Sequence, residues 1–147
     1  MNNQPLKGFR ILDVTNVLSG PFCGYQLGLL GAEIIKVEAP DGDLARQLGA
    51  NPSWNERRMG ISFLAQNAGK RSISLNLKSE AGKQIFLELV KTSDALIENF
   101  RPGVMDRLGL GFEACKATKD PIVYCAISGF GQQGPLKDNP AYDQIIQ

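Results

Sequence analysis

Chemistry in this chain has to be sought without histidine, since its 147 residues contain none. That excludes a Ser-His-Asp or Cys-His nucleophile system within these residues, and any His-ligated metal site. Carboxylates, Lys, Tyr, Cys and backbone groups are left as acids, bases, nucleophiles and donors. The polar residues best placed for such work come in short groups directly after apolar runs. Thr15, Asn16, Val17, Leu18, Ser19 and Gly20 follow the first run, and Glu38 to Asp43 the second. Asn76, Leu77 and Lys78 follow the third. Glu98, Asn99, Phe100 and Arg101 follow the fourth, with Arg107 one or two helical turns on. Ser128 to Gly131 follow the fifth. Cations, amides, hydroxyls and one ring together suit a ligand that carries phosphates, amides and a ring of its own.

Two familiar phosphate motifs are missing from this set. "NVLSGPFCG" after the first run offers only Gly20 and Gly24, so the G-x-G-x-x-G dinucleotide fingerprint is absent there, and no Gly-Lys-Ser/Thr phosphate loop occurs. "GFGQQG" matches G-x-G-x-x-G by spacing alone and leads into "PLKDNP" rather than a helix. Cys23, Cys115 and Cys125 lack metal-ligand spacing and read as buried free thiols. Asp13, inside an apolar run, reads as a structural hydrogen-bonding carboxylate. Arg57, Arg58, Lys70 and Arg71 form a loose basic group that reads as solvated surface.

The apolar runs that must position these groups alternate with helical patterns. Strands are expected over 10–17, 33–38, 71–77, 94–100 and 121–128. The fifth, "PIVYCAIS", is nearly all apolar. The first helix is expected to present Phe22, Leu27, Leu29 and Leu30 to the sheet and to end at Gly31. Ser79 is expected to cap a helix whose inner side holds Ile85, Leu87, Leu89 and Val90. A helix after Pro102 carries Arg107. "AYDQIIQ" begins a last amphipathic helix. Residues 39–70 show no strong period and read as a long loop, which in a compact domain is usually functional or mobile. The first strand, helix and second strand form a crossover that favours a parallel pair. The expected fold is α/β and Rossmann-like, a mostly parallel sheet with helices on both faces and ligands beyond the carboxyl ends of its strands.

Length fits one domain, and 43% hydrophobic residues suffice for a core. Sixteen basic and fifteen acidic side chains leave a formal net charge of +1, which gives no electrostatic case for nucleic acid or an anionic membrane as partner. No apolar run approaches the ~20 residues a membrane span needs. "MNNQPLKGFR" has no apolar signal core, so a cytoplasmic location is expected.

Three stretches carry a resemblance: "ILDVTNVLSGPFCGYQLGLLGAEIIKVEAPDGDLAR", "GKRSISLNLKSEAGKQIFLELVKTSDALIENFRPGVMDRLGL" and "SGFGQQGP" with "PAYDQIIQ". Together they resemble the N-terminal region of the family III CoA-transferases, the family of formyl-CoA transferase, carnitine CoA-transferase and α-methylacyl-CoA racemase. The resemblance runs from about Leu6 to Gln147, and it implies that residues 1–147 are a single partial Rossmann-like CoA-binding domain. It implies CoA or an acyl-CoA as substrate, with no permanently bound cofactor, and a homo-oligomer.

Carried over by position, Leu18 and Ser19 match residues near the pantetheine. Ala39 matches a position near the nucleotide end, and Leu75, Asn76 and Lys78 match adenosine-side contacts. Asn99, Phe100 and Arg101 match a backbone-and-ring contact, and Arg107 a cation that holds phosphate. Pro140, Ala141 and Tyr142 match a segment lining the pantetheine path. Some members have Arg where this chain has Ala39, and Arg46 or Lys70 is the nearby cation that could stand in.

In the family a carboxylate attacks the acyl-CoA carbonyl, giving a mixed anhydride and CoA thiolate. The thiolate returns to form an aspartyl-CoA thioester, and an acceptor acid collects CoA. That Asp is expected downstream of the last helix, so no catalytic residue is assigned among these 147, and Asp143 is not it. The alternative is a non-catalytic, truncated CoA-binding or protein-interaction domain. A Rossmann-like site for another nucleotide is a third reading.

Overall fold

A computed structural model describes residues 4–147. Five strands form one sheet: β1 (Arg10–Asp13), β2 (Glu33–Glu38), β3 (Arg71–Ser74), β4 (Ala95–Glu98) and β5 (Val123–Ala126). Their order is β3-β2-β1-β4-β5, and every pairing is parallel. Chain order therefore runs outward in both directions from the β1–β4 pair. In sheets of this kind that reversal leaves a crevice at the strands' carboxyl ends, where ligands bind.

Side-chain alternation sends two sets of residues to opposite faces. Leu12, Val14, Val37 and Leu96 pack with Phe86 and Val90 of α4 (Glu80–Lys91), with Met105 of α5 (Val104–Arg107) and with Cys115 of α6 (Phe112–Thr118). Ile11, Ile34 and Ile97 pack on the other face with Cys23 and Leu27 of α1 (Ser19–Leu29). Helices thus cover both faces.

Helix α1 lies on the sheet through its small residues. Gly20, Pro21 and Gly24 are buried, whereas Phe22, Leu29 and Leu30, expected to face inward, are exposed. A Cβ on Gly20 would stand 2.2 Å from Thr15 Cγ2, and one on Gly24 2.9 Å from Asp13 Oδ2. The close approach at Gly20 and Gly24 leaves no room there for a large residue, while Leu27 packs inward as expected further along the helix. Gly31, at φ 104°, ends the helix as expected.

Ser79 caps α4 by accepting the Gly82 N–H at 3.1 Å. Phe86 and Val90 anchor that helix, and Ile85 points outward, 46% exposed. Strand β5, though nearly all apolar, lies at an edge: among the described residues nothing pairs beyond it, and Val123 is 67% exposed. Residues 39–70 are not a loop throughout. They form a 3₁₀ turn (Leu44–Gln47) and the short helices α2 (Pro52–Glu56) and α3 (Ile61–Asn67), with α3 packed on α1 and on the turn. Low helical periodicity follows from helices of one or two turns, too short to show a stripe. The chain closes on α7 (Asp143–Ile146). No helix among the described residues is long and apolar enough to cross a membrane.

Candidate functional site

The strand ends meet at the β1–β4 crevice through one side chain. Asn99, just past β4, accepts the Asn16 N–H at 2.8 Å and donates to the Asn16 carbonyl at 2.9 Å. Both ends of its amide are therefore engaged by the turn after β1. That turn continues into Val17, a β-branched residue at φ 70°, where its Cβ crowds the backbone. Asp43 holds the Val17 N–H at 3.0 Å. Leu18 and Ser19 follow, both exposed on the rim, where α1 begins.

Beneath this turn lie two buried ion pairs. Lys36 of β2 reaches Asp43 at 3.0 Å and donates to the Thr15 carbonyl at 2.8 Å. Lys70 reaches Asp13 at 2.6 Å and also donates to Pro21 O and Asn67 Oδ1. Burial pulls Lys70 below its usual range against the opposing attraction of Asp13. Asp13 is structural, as expected, and accepts from the Thr15 backbone N–H and hydroxyl. Pairs this buried are costly to break on one side, because the survivor is left charged and unpaired.

After β2, Glu38 accepts both Arg46 Nε at 2.6 Å and Nη2 at 2.7 Å, with further bonds from the Asp43 N–H and the Ser72 hydroxyl. Burial alone would raise its pKa, but Arg46, Ser72 and that amide together hold it down to about 2. Ala39 is exposed and lines a cavity of about 390 Å³ together with Arg46, Arg58, Ser72 and Ser74. Neither cation expected to stand in for a charge at position 39 is free to do so. Arg46 is committed to Glu38 and Lys70 to Asp13. Arg58, read from sequence as plain solvated surface, is the other cation lining that cavity.

After β3, Leu75 places its side chain in the core. Asn76 and Lys78 are exposed, and Asn76 Oδ1 accepts the Lys78 N–H at 3.0 Å, which fixes the turn. After β4, the buried Glu98 accepts the Phe100 N–H at 2.8 Å. Burial raises the Glu98 carboxyl, and it also pushes up the neighbouring Tyr124 phenol. The Phe100 ring is half-buried against the core. Arg101 and Arg107 are exposed, and neither forms an ion pair among the described residues. Gly103, at φ 76°, is the N-cap of α5, which begins at Val104 and carries Arg107 in its last turn. A Cβ on Gly103 would stand 3.1 Å from Arg107 Nη1.

Pro140, Ala141 and Tyr142 lie beyond β5, since a Cβ on Gly129 would stand 2.0 Å from the Ala141 methyl. Tyr142 is 70% exposed. Of the thiols, Cys115 alone is buried, and burial pushes it up to about 11; Cys23 is half-buried and Cys125 exposed.

The rim thus places Asn76 and Lys78, Ala39, Leu18 and Ser19, then Asn99 to Arg107, in sheet order from β3 to β4. Three strand spacings separate its ends, about 14 Å. That is a platform for an extended ligand, along which Lys78, Arg101 and Arg107 form no ion pair among the described residues. Lys36 is a supporting residue that sequence reasoning missed, and Asp43, placed on the rim from sequence, supports the turn through it. One signal was available: a lysine inside "EIIKVE", a strand otherwise apolar at its centre, calls for a buried acid nearby.

The sequence profile described as CoA-transferase family III matches residues 6–147. The chain is 48% identical over 144 residues to an acetyl-CoA:oxalate CoA-transferase of Acetobacter aceti, covering 97% of this chain and 36% of the relative. It is 41% identical over 150 residues to the human succinyl-CoA:glutarate CoA-transferase, covering 99% and 33%. Among solved structures, a CAIB/BAIF family protein from Brucella suis superposes with a TM-score of 0.88 at 38% identity, covering 99% of this chain and 39% of that one. A hypothetical protein from Mycobacterium tuberculosis gives a TM-score of 0.85 at 40% identity, covering 95% and 37%. The chain spans about a third of the length of the curated relatives it matches. It belongs to CoA-transferase family III.

Proposed function

We propose that this chain is the CoA-binding, N-terminal part of an enzyme that moves CoA between carboxylic acids. The observation that carries this is the rim itself, where exposed cations without an ion pair among the described residues stand along the strand ends of a family III chain. CoA is an extended ligand with a phosphate-bearing nucleotide at one end and amides along its arm. Its nucleotide end fits the β2–β3 side, by Ala39, Leu75, Asn76 and Lys78. Its arm runs over Leu18 and Ser19 and beside Asn99, Phe100 and Arg101, toward Pro140, Ala141 and Tyr142. Arg107 supplies a phosphate contact.

In this proposal the chain's own residues bind and orient CoA. The carboxylate that would accept the acyl group comes from outside residues 1–147. Binding energy from the nucleotide and the arm then holds the thioester in place for attack. A homo-oligomer is part of the proposal, and the exposed Val123 side of β5 supports it as a surface that gains from cover. The three free thiols fit a reducing, cytoplasmic setting.

Calorimetric titration with CoA tests the reading. A single saturable site is the expected result, and no heat at millimolar CoA would overturn it.

A further inference from the structure

The turn after β1 is held in a conformation that its own residues disfavour. Val17 lies at φ 70°, which a β-branched residue disfavours, and at 39% exposed it stands outside both core clusters. Two restraints come instead from the excursion between β2 and β3. From its start, Asp43 receives the Val17 N–H with both carboxylate oxygens, at 3.0 and 3.3 Å. From its end, the Gln66 amide of α3 faces the Val17 and Leu18 carbonyls, and that pair of acceptors assigns its NH₂ to the side of the turn, where it donates to them at 2.9 and 3.1 Å. Both are themselves fixed. Asp43 is paired with Lys36 and accepts the Ala45 N–H at 2.9 Å, and α3 packs against α1.

We propose that the excursion of residues 39–70 is a brace, with Asp43 and Gln66 as positioning residues. They keep Val17 left-handed and so fix where Leu18 and Ser19 stand on the rim. A free valine relaxes to the extended or right-handed region, and the peptide that follows it swings away from this position. The consequence for ligand binding rests on the proposed CoA site, but the brace itself does not.

Glycine discriminates here, because it takes φ 70° without penalty. A turn with Gly at position 17 needs no brace. The test uses the full chain and Gln66→Ala, Val17→Gly and the double variant, with Gln66→Glu as a same-size variant that turns a donor into an acceptor. Two quantities are read: hydrogen exchange of the residue-17 amide without ligand, and the Kd for CoA. Gln66→Ala is expected to speed exchange about tenfold and weaken CoA about fivefold, the scale of one or two lost hydrogen bonds. Gln66→Glu is expected to exceed both. In the Val17→Gly background, Gln66→Ala is expected to change either quantity less than about twofold.

Equal losses in both backgrounds would overturn the proposal, since Gln66 would then act other than through Val17. Unchanged exchange and affinity in Gln66→Ala and Gln66→Glu would overturn it as well. A wild-type chain that binds no CoA sinks the functional reading alone, and the exchange comparison still decides the brace.

Discussion

Asn99 and Asn16 form a two-bond bridge across the crevice between β1 and β4, the Asn99 side chain pairing with both the N–H and the carbonyl of Asn16. A side-chain amide carries a donor and an acceptor side by side, which suits it to this pairing. Each of its polar atoms makes a bond to Asn16, so Asn99 holds two rim turns in register.

Replacing it tests that role. Asn99→Ala removes both bonds and is expected to cost about 1–3 kcal/mol in denaturant unfolding. Asn99→Asp keeps the acceptor toward the Asn16 N–H, loses the donor and places a carboxylate against the Asn16 carbonyl. It is expected to be no better than Ala. CoA affinity should fall in both variants, read by calorimetry.

Arg107 is expected to behave differently, as an exposed cation with no ion-pair partner among the described residues. Arg107→Ala should leave the melting temperature unchanged and weaken CoA about tenfold, the scale of a charge-assisted contact. If Arg107 holds the 3′-phosphate, the loss should be much smaller for dephospho-CoA. Equal losses for both ligands would move it to the diphosphate.

Glu38 gives a pH dependence with a definite sign. Its pKa is held down to about 2 in the folded chain, below the ordinary 4.5. A depressed carboxylate stabilises the fold fully above its unfolded pKa, and the contribution disappears as pH falls through the folded one. Acid titration of stability should therefore show a loss between about 4.5 and about 2, on the order of 3 kcal/mol. Arg46→Met should shrink that loss.

Glu98 has the opposite sign. Burial raises its carboxyl, so its ionised form weighs against the fold once pH exceeds the raised value. Glu98→Gln keeps an acceptor for the Phe100 N–H. Thermal melts should show it as stable as, or more stable than, wild type near neutral pH. The difference should vanish as pH falls through the carboxylate range.

Gly20 tests the close seating of α1. A Cβ there would overlap the Thr15 side chain at 2.2 Å, so Gly20→Ala has to push helix and strand apart. A cost of about 1–3 kcal/mol is expected, and Thr15→Ser in the same chain should recover part of it. Full stability in Gly20→Ala would refute the packing.

The sequence was legible where a local pattern and the tertiary role agree. "EIIKVE" becomes β2 residue for residue, and Ser79 caps α4 as its type demands. The polar groups after each run do fall at strand ends along one rim. It was illegible where packing overrode local preference. α1 reads as helix from its large residues, yet glycine makes its contact, because the turn after β1 lies too close to the helix for anything larger. "PIVYCAIS" is apolar enough for a central strand, but its place depends on what pairs beyond it, which no local window contains. The supports of Val17 come from Asp43 and Gln66, distant in sequence and ordinary in type.

The most direct test of the account is to map CoA onto the chain by amide chemical shifts in isotope-labelled protein. The account predicts shifts concentrated at Leu18 and Ser19, Asn76 to Lys78, and Asn99 to Arg107, all at the carboxyl ends of the strands. Shifts confined to the opposite ends, near Arg10, Glu33 and Arg71, or none at millimolar CoA, would contradict it.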